Sequence, residues 1–285
     1  MPDLWSDLVA CLDLTRVPPA GHGGGGAAPS DARPPDAEFQ FEGSNQQLPY
    51  HRVFGGQILG QVVRAAALSF PGKQLKSLHA LFPREGRSEE PIRYRVRACH
   101  EGRTFASATV IAEQSAGVVA TASLSLHTPE QGPRRQSTDP VPALPSAEHK
   151  ADWDLLPWEV RARREIDDKG SSAPEFEFWM RTPTVDPALA APLAAYATDL
   201  TLIGTALLPQ EGFSQSGNGT AFLSAVTSHT LWFHGAFRSD DWLLLRQHSP
   251  ILAHGRGFGR GDILTESGEL VASYAQEAMI RLPVS

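Results

Sequence analysis

A few short stretches of this chain carry side chains that could act on a substrate. Asp199 interrupts the apolar run PLAAYATDLTLIGTALL, and Gln276 is a polar residue inside an otherwise small and apolar strand-like stretch, VASYAQEAM. Read alone, Asp199 is an ordinary residue for a helix start, where a carboxylate caps open N–H groups and meets the positive end of the helix dipole. Gln276 read alone is an interface or surface amide, because an amide taken out of water must find partners. Gly55, Gly56 and Gln57 open the apolar stretch HRVFGGQILGQVVRAAALSF. Without side chains at the two glycines, a ligand carbonyl can come close to backbone N–H groups at a positively polarised helix start. His229 and His234 stand five apart in SHTLWFH. On a strand that spacing sends them to opposite faces, so they are not a metal pair, and core or rim packing is the expected role. The glycines of HGRGFGRG (254–261) miss the G-x-G-x-x-G phosphate-loop spacing and sit among strand-like segments, which predicts a bulged strand. Arg93, Arg95 and Arg97 share one strand face and could meet phosphates, but a solvated face is the commoner reason for such a run.

These residues need elements to hold them. The stretch from His51 to Phe70 is apolar around most of a helical circumference, which predicts a helix buried in a core. Before it, EFQFEG alternates like a strand; after it, LKSLHALF, PIRYRVRACHEG, RTFASATVIAEQ and GVVATASLSLH read as a meander of short strands. One helix followed by an antiparallel meander is an α+β pattern. The pattern recurs beyond residue 150, with WEVRAR and FEFWMRTP, the apolar run around Asp199, then strands again. Leu78–Phe82 (LHALF) matches Ser228–Trp232 (SHTLW), Gly102-Arg103-Thr104-Phe105 matches Gly255-Arg256-Gly257-Phe258, and Val119-Ala120-Thr121 matches Val271-Ala272-Ser273. A duplication explains this order, and two such sheets could pair side by side and so remove an exposed edge from each. The predicted domains are 1–127 and 151–285, with the Pro-rich polar segment 128–150 as linker and the Gly/Pro-rich segment 21–36 as a mobile loop.

With 285 residues, 41% of them hydrophobic, the chain can bury a substantial core, and a net charge of -7 argues against nucleic acid or an anionic membrane as partner. No apolar run is expected to span a membrane. The two cysteines, Cys11 and Cys99, are too few for a disulfide framework and fit a reducing cytoplasm. The start lacks a signal-peptide pattern, and RLPVS does not read as a peroxisomal address.

The stretches VFGGQILGQ, LHALFPREG, GRTF, ATDLTL, SHTLWFH, DDWLLL, RGFGRGDI and GELVASYAQEAMIR, in that order, resemble the acyl-CoA thioesterase II family, the double-hotdog thioesterases. The resemblance runs from the first helix nearly to the last residue. It implies two hotdog units, each a helix wrapped by an antiparallel sheet, hydrolysis of acyl-CoA thioesters to free acid and CoA, no metal or organic cofactor, and possible assembly of chains into a homodimer or homotetramer. The 21–36 loop is an insertion relative to the family pattern.

The resemblance also assigns the chemistry. In the family an Asp at the start of the second helix, a Gln on the last strand and a Ser or Thr on the strand leading into WFH act together on a water. The Asp falls on Asp199 and the Gln on Gln276, while Gly55, Gly56 and Gln57 would offer backbone N–H groups to the thioester carbonyl. The hydroxyl position falls on Val226, which cannot donate a hydrogen bond. On a regular strand Ser228 faces the same way as Val226 and could supply a displaced hydroxyl. Thr227 would need a bulge, and Thr201 is a weaker substitute. The counterpart of Gln276 in the first half is near Leu124, which implies one working site per chain. A non-catalytic acyl-CoA binding protein is the alternative that Val226 suggests. A hydratase of enoyl-CoA is disfavoured, because no Asp and His stand in the spacing such enzymes use.

Overall fold

A computed structural model describes residues 3–18, 37–48, 50 and 52–283. The segment 21–36, expected to be a loop, lies outside the described residues, as does His51. The chain divides into two units, Met1–Gly132 and Pro133–Ser285.

In the first unit α1 (Leu4–Cys11), β1 (Thr15–Val17) and β2 (Glu38–Gly43) precede the central helix α2 (Gly55–Ser69), and β3 (Gln74–Leu81), β4 (Ile92–Glu101), β5 (Phe105–Gln114) and β6 (Gly117–His127) follow it. The expected helix over 51–70 is therefore shorter at both ends. Phe54 is extended at the N-cap. At the other end Phe70 precedes Pro71, whose ring pushes the preceding residue out of helical geometry, and the helix stops. Ile58, Leu59, Val62, Val63, Ala65 and Ala66 are buried, while Ala67 and Leu68 are exposed and Arg64 half-buried, so the helix is a core element with one edge at the surface rather than buried all round. The strands run antiparallel in the order β1-β2-β4-β5-β6-β3.

The second unit contains β7 (Lys150–Ala151), β8 (Glu159–Arg161), β9 (Glu175–Arg181), α3 (Ala190–Thr198), α4 (Leu202–Leu207), β10 (Leu223–Phe233), β11 (Leu243–Ala253), β12 (Arg256–Thr265) and β13 (Leu270–Arg281). Its antiparallel order is β10-β13-β12-β11-β9-β8-β7. The run β2-β4-β5-β6-β3 of the first unit and β9-β11-β12-β13-β10 of the second are the same permutation of sequence order, each with its helix between the first and second strands. That shared topology is the signature of a duplicated α+β unit.

Two expectations change here. Within 128–150, read as linker, residues 133–146 pack on the second unit: Val141 and Leu144 lie against Trp179, Trp242, Leu244 and Leu264, and Arg246 donates to the carbonyls of Asp139 and Pro140 at 3.1 and 2.9 Å. Against the expectation that no apolar run reaches membrane length, Pro187–Leu207 is long and apolar enough by composition. Its side chains are mostly buried in the unit and its helix breaks at Asp199, which makes it a core element.

Candidate active site

Asp199 does not start a helix. It follows the last turn of α3 as the C-cap, two residues ahead of Thr201, which is the N-cap of α4. Asp199 is therefore not placed to cap α4, whose N-cap Thr201 makes no side-chain cap hydrogen bond, and the Asp199 side chain is carried inward, only 4% exposed. The break settles close to the sheet because β12 has no side chain there. A Cβ on Gly259 would lie 2.7 Å from Leu202 Cδ2 at the start of α4. Gly259 pairs with Gln276 on β13, so the glycine brings the α3–α4 break down near that amide. The strand around Gly259 is regular, not bulged as expected: the extra residue lies opposite it, on β11, between His248 and Ile251, where Pro250 sits.

Gln276 is 2% exposed and pairs across the strands with His229, which is 0% exposed. The two side chains meet, with His229 Nδ1 2.9 Å from Gln276 Oε1, and the same ring nitrogen lies 3.9 Å from Asp199 Oδ1. The other ring nitrogen, Nε2, is 3.0 Å from the hydroxyl of Thr198, and the ring stacks on Tyr274 at 6.1 Å. Burial pushes the imidazole down to about 4 from its ordinary 6.5, against the opposite pull of the hydrogen bond to Gln276, so it is neutral at pH 7. Gln276 Nε2 is buried and has no hydrogen-bond partner among the described residues. A buried amide N–H left over in a polar cluster is a donor available to a substrate or a water.

The structure therefore brings Asp199 and Gln276 together around His229, a residue expected to serve only for packing. The first unit shows what is special about this pair. Its equivalent cross-strand pair is Leu78 with Leu124, both apolar and buried. The letter match of His79 to His229 is one residue out of step with the fold: His79 pairs with Ser123 and is exposed. Only a comparison of strand register reveals that His229 replaces a leucine.

The hydroxyl candidates do not join this cluster. Val226 pairs with Ala278, two residues from Gln276, and so shares its face. A bulge falls at Thr227, and beyond it Ser228 pairs with Glu277. Ser228 thus faces the side opposite Gln276; the regular alternation that would have aligned it with Val226 is broken by the extra residue. Thr227 donates to the Glu277 carbonyl at 3.0 Å and lies near the Glu277 carboxylate on that same outer side. Thr201 donates to Gln247 Oε1 at 2.8 Å, sharing that acceptor with Thr205.

Gly55, Gly56 and Gln57 open α2 in the first unit. Gln57 is engaged there: its N–H donates to the Phe54 carbonyl at 3.1 Å, its Oε1 accepts from Gln46 N–H at 2.9 Å, and its Nε2 donates to Asn45 at 2.8 Å. Gly55 and Gly56 hold the first N–H groups of the helix, which have no acceptor within it. Among the described residues no group of three or more His, Cys, Asp or Glu side chains is placed to hold a metal ion. A concavity of about 940 Å³ on the second unit, lined by Trp232, Phe258, Arg260 and Ala275 among others, includes neither Asp199, His229 nor Gln276.

Sequence profiles described as the acyl-CoA thioesterase N-terminal domain and C-terminal domain match residues 46–127 and 129–280. The chain is 32% identical over 268 residues to acyl-CoA thioesterase 2 of Haemophilus influenzae, covering 85% of this chain and 92% of that protein. It is 28% identical over 278 residues to human acyl-coenzyme A thioesterase 8, covering 86% and 85%. Among solved structures, the acyl-CoA thioesterase II TesB2 of Mycobacterium marinum superposes with a TM-score of 0.76 at 29% identity, over 97% of this chain and 98% of that one. A hot dog fold protein of Alicyclobacillus acidocaldarius superposes at 0.71 with 18% identity, covering 97% and 98%, a likeness of fold alone. With both halves matched in order and nearly the whole length aligned, the chain belongs to the acyl-CoA thioesterase II family and carries its double-hotdog α+β fold.

Proposed function

We propose that this protein hydrolyses acyl-CoA thioesters to free acid and CoA, with the attacking water held between Asp199 and Gln276. The observation that supports this most is the buried amide nitrogen of Gln276, without a hydrogen-bond partner among the described residues, on a side chain that meets the same His229 ring nitrogen the buried Asp199 carboxylate approaches. A water there donates one proton toward Asp199 and accepts from Gln276 N–H, which leaves its other lone pair for the carbonyl carbon. As the carbon–oxygen bond forms, Asp199 takes the water proton and the carbonyl oxygen becomes an oxyanion. The tetrahedral species collapses by breaking the carbon–sulfur bond, and the proton on Asp199 is returned to the departing thiolate.

The test is release of free thiol from a panel of acyl-CoAs of increasing chain length. Asp199→Ala and Gln276→Ala should each lower kcat by roughly 100-fold or more, as removal of one transition-state group typically does; unchanged rates would move the chemistry elsewhere. Val226 favours a second reading, an acyl-CoA binding protein without turnover, because an apolar side chain shares the face of Gln276 where the family resemblance expects a hydroxyl. Tight binding of acyl-CoA with no thiol release, not improved by Val226→Ser, is the outcome that reading requires.

A further inference from the structure

We propose that His229 is a positioning residue for Gln276: its Nδ1–H holds the amide oxygen, so that the amide nitrogen is the end presented to the water. This rests on the reading of Asp199 and Gln276 given above.

A glutamine amide can turn by half a rotation, exchanging a donor end for an acceptor end. Among the described residues the contact with His229 is the one hydrogen bond of the Gln276 side chain, and it fixes that choice, because a neutral imidazole has one N–H and one lone pair. With the proton on Nδ1, the ring donates to Gln276 Oε1 at 2.9 Å, and Nε2 accepts from the Thr198 hydroxyl at 3.0 Å. With the proton on Nε2, the Thr198 hydroxyl would instead spend its one proton on the Ala195 carbonyl, 2.8 Å away. Nδ1 would then need a donor, and the amide would have to turn its oxygen toward the site.

The surroundings decide between the two. Asp199 Oδ1 lies 3.9 Å from Nδ1, and a carboxylate favours an N–H over a lone pair at that distance. The second arrangement would also leave the amide oxygen and the carboxylate facing one water as two acceptors, with no donor to hold its oxygen. The ring itself has little freedom to adapt, since it is fully buried and stacked on Tyr274.

Two measurements test this on the full chain. Long-range proton–nitrogen spectra of protein labelled at histidine, with His229 identified by its loss in His229→Asn, should show the Nδ1–H tautomer; an Nε2–H signal overturns the proposal. In kinetics, Asn places its amide near the position of Nδ1, whereas Gln reaches toward that of Nε2. His229→Asn should keep kcat within roughly tenfold, and His229→Gln and His229→Leu should lose about 100-fold in kcat with KM nearly unchanged. Leu is the residue the first unit carries at the equivalent place, Leu78. His229→Gln performing as well as His229→Asn overturns the positioning role, and this comparison stands even if His229→Leu folds poorly. If Asp199→Ala and Gln276→Ala also leave turnover intact, the site reading itself has failed; if they abolish it while the His229 variants do not, only the positioning role has.

Discussion

His229 makes the stability of the second unit depend on acid in a way that can be calculated. Its imidazole is pushed by burial to about 4 from an ordinary 6.5. A basic group whose native value is depressed stays neutral in the folded chain while the unfolded chain takes up a proton, so stability is complete above about pH 6.5 and falls as pH drops toward 4. The gap corresponds to on the order of 3 kcal/mol when fully developed, and about 2 kcal/mol of it is already lost at pH 5. His229→Asn removes the titrating group and should remove this slope. The assay is urea unfolding of both proteins between pH 8 and pH 5, followed by tryptophan fluorescence, which reports chiefly on the second unit because Trp153, Trp158, Trp179, Trp232 and Trp242 all lie there. The wild-type chain should lose about 2 kcal/mol more than the variant over that range. Parallel curves would refute the reasoning. They would mean that the Asp199 carboxylate, 3.9 Å away, keeps the imidazole charged in the folded state and outweighs the cost of burying it.

Three further substitutions probe the register of the site. Ser228→Ala should leave kcat within about twofold, because Ser228 faces the Glu277 side; a larger fall would restore Ser228 as the missing hydroxyl. Val226→Ser puts a hydroxyl on the face of Gln276 and should raise kcat, by up to roughly tenfold, measured by thiol release at saturating substrate. Gly259→Ala should cost about 1–3 kcal/mol in unfolding and also lower kcat, since its methyl would meet Leu202 at 2.7 Å and lift the Asp199 segment; combining it with Leu202→Ala should recover part of both losses.

The strands and helices were legible in the sequence because their periodicity is strong. EFQFEG, PIRYRVRACHEG and GVVATASLSLH alternate cleanly, and the His51–Phe70 stretch is too apolar around its circumference to be a surface helix. The duplication was legible in the recurring order of elements; of the three short matches, only Val119-Ala120-Thr121 with Val271-Ala272-Ser273 agrees with the strand registers. What the letters could not carry was register. One extra residue at Thr227 inverts the faces of everything before it relative to everything after, so Ser228 looked aligned with Val226 when it is not. His229 was hidden for a different reason: both halves carry the bulge, at Lys76 and at Thr227, but the letter match of His79 to His229 is one residue off the pairing registers and pointed to an exposed position. Asp199 and Gln276 came from family resemblance, since neither residue type is rare at the end of a helix or on a strand. The break between α3 and α4 had only Asp199 and Thr201 to mark it, with no glycine or proline at the interruption itself.

The way residues 133–146 lie on the second unit sets where that half can be separated from the first. Gln136 donates to the Gly268 carbonyl at 2.7 Å and accepts from Leu270 N–H at 3.1 Å, while Pro145 receives the Arg161 guanidinium at 2.9 Å. A half-length protein beginning at residue 151 would strip away these partners and uncover Trp179 and Trp242, inviting aggregation. One beginning at Pro133 would keep its own cover, and is the fragment to express when the two halves are to be studied apart.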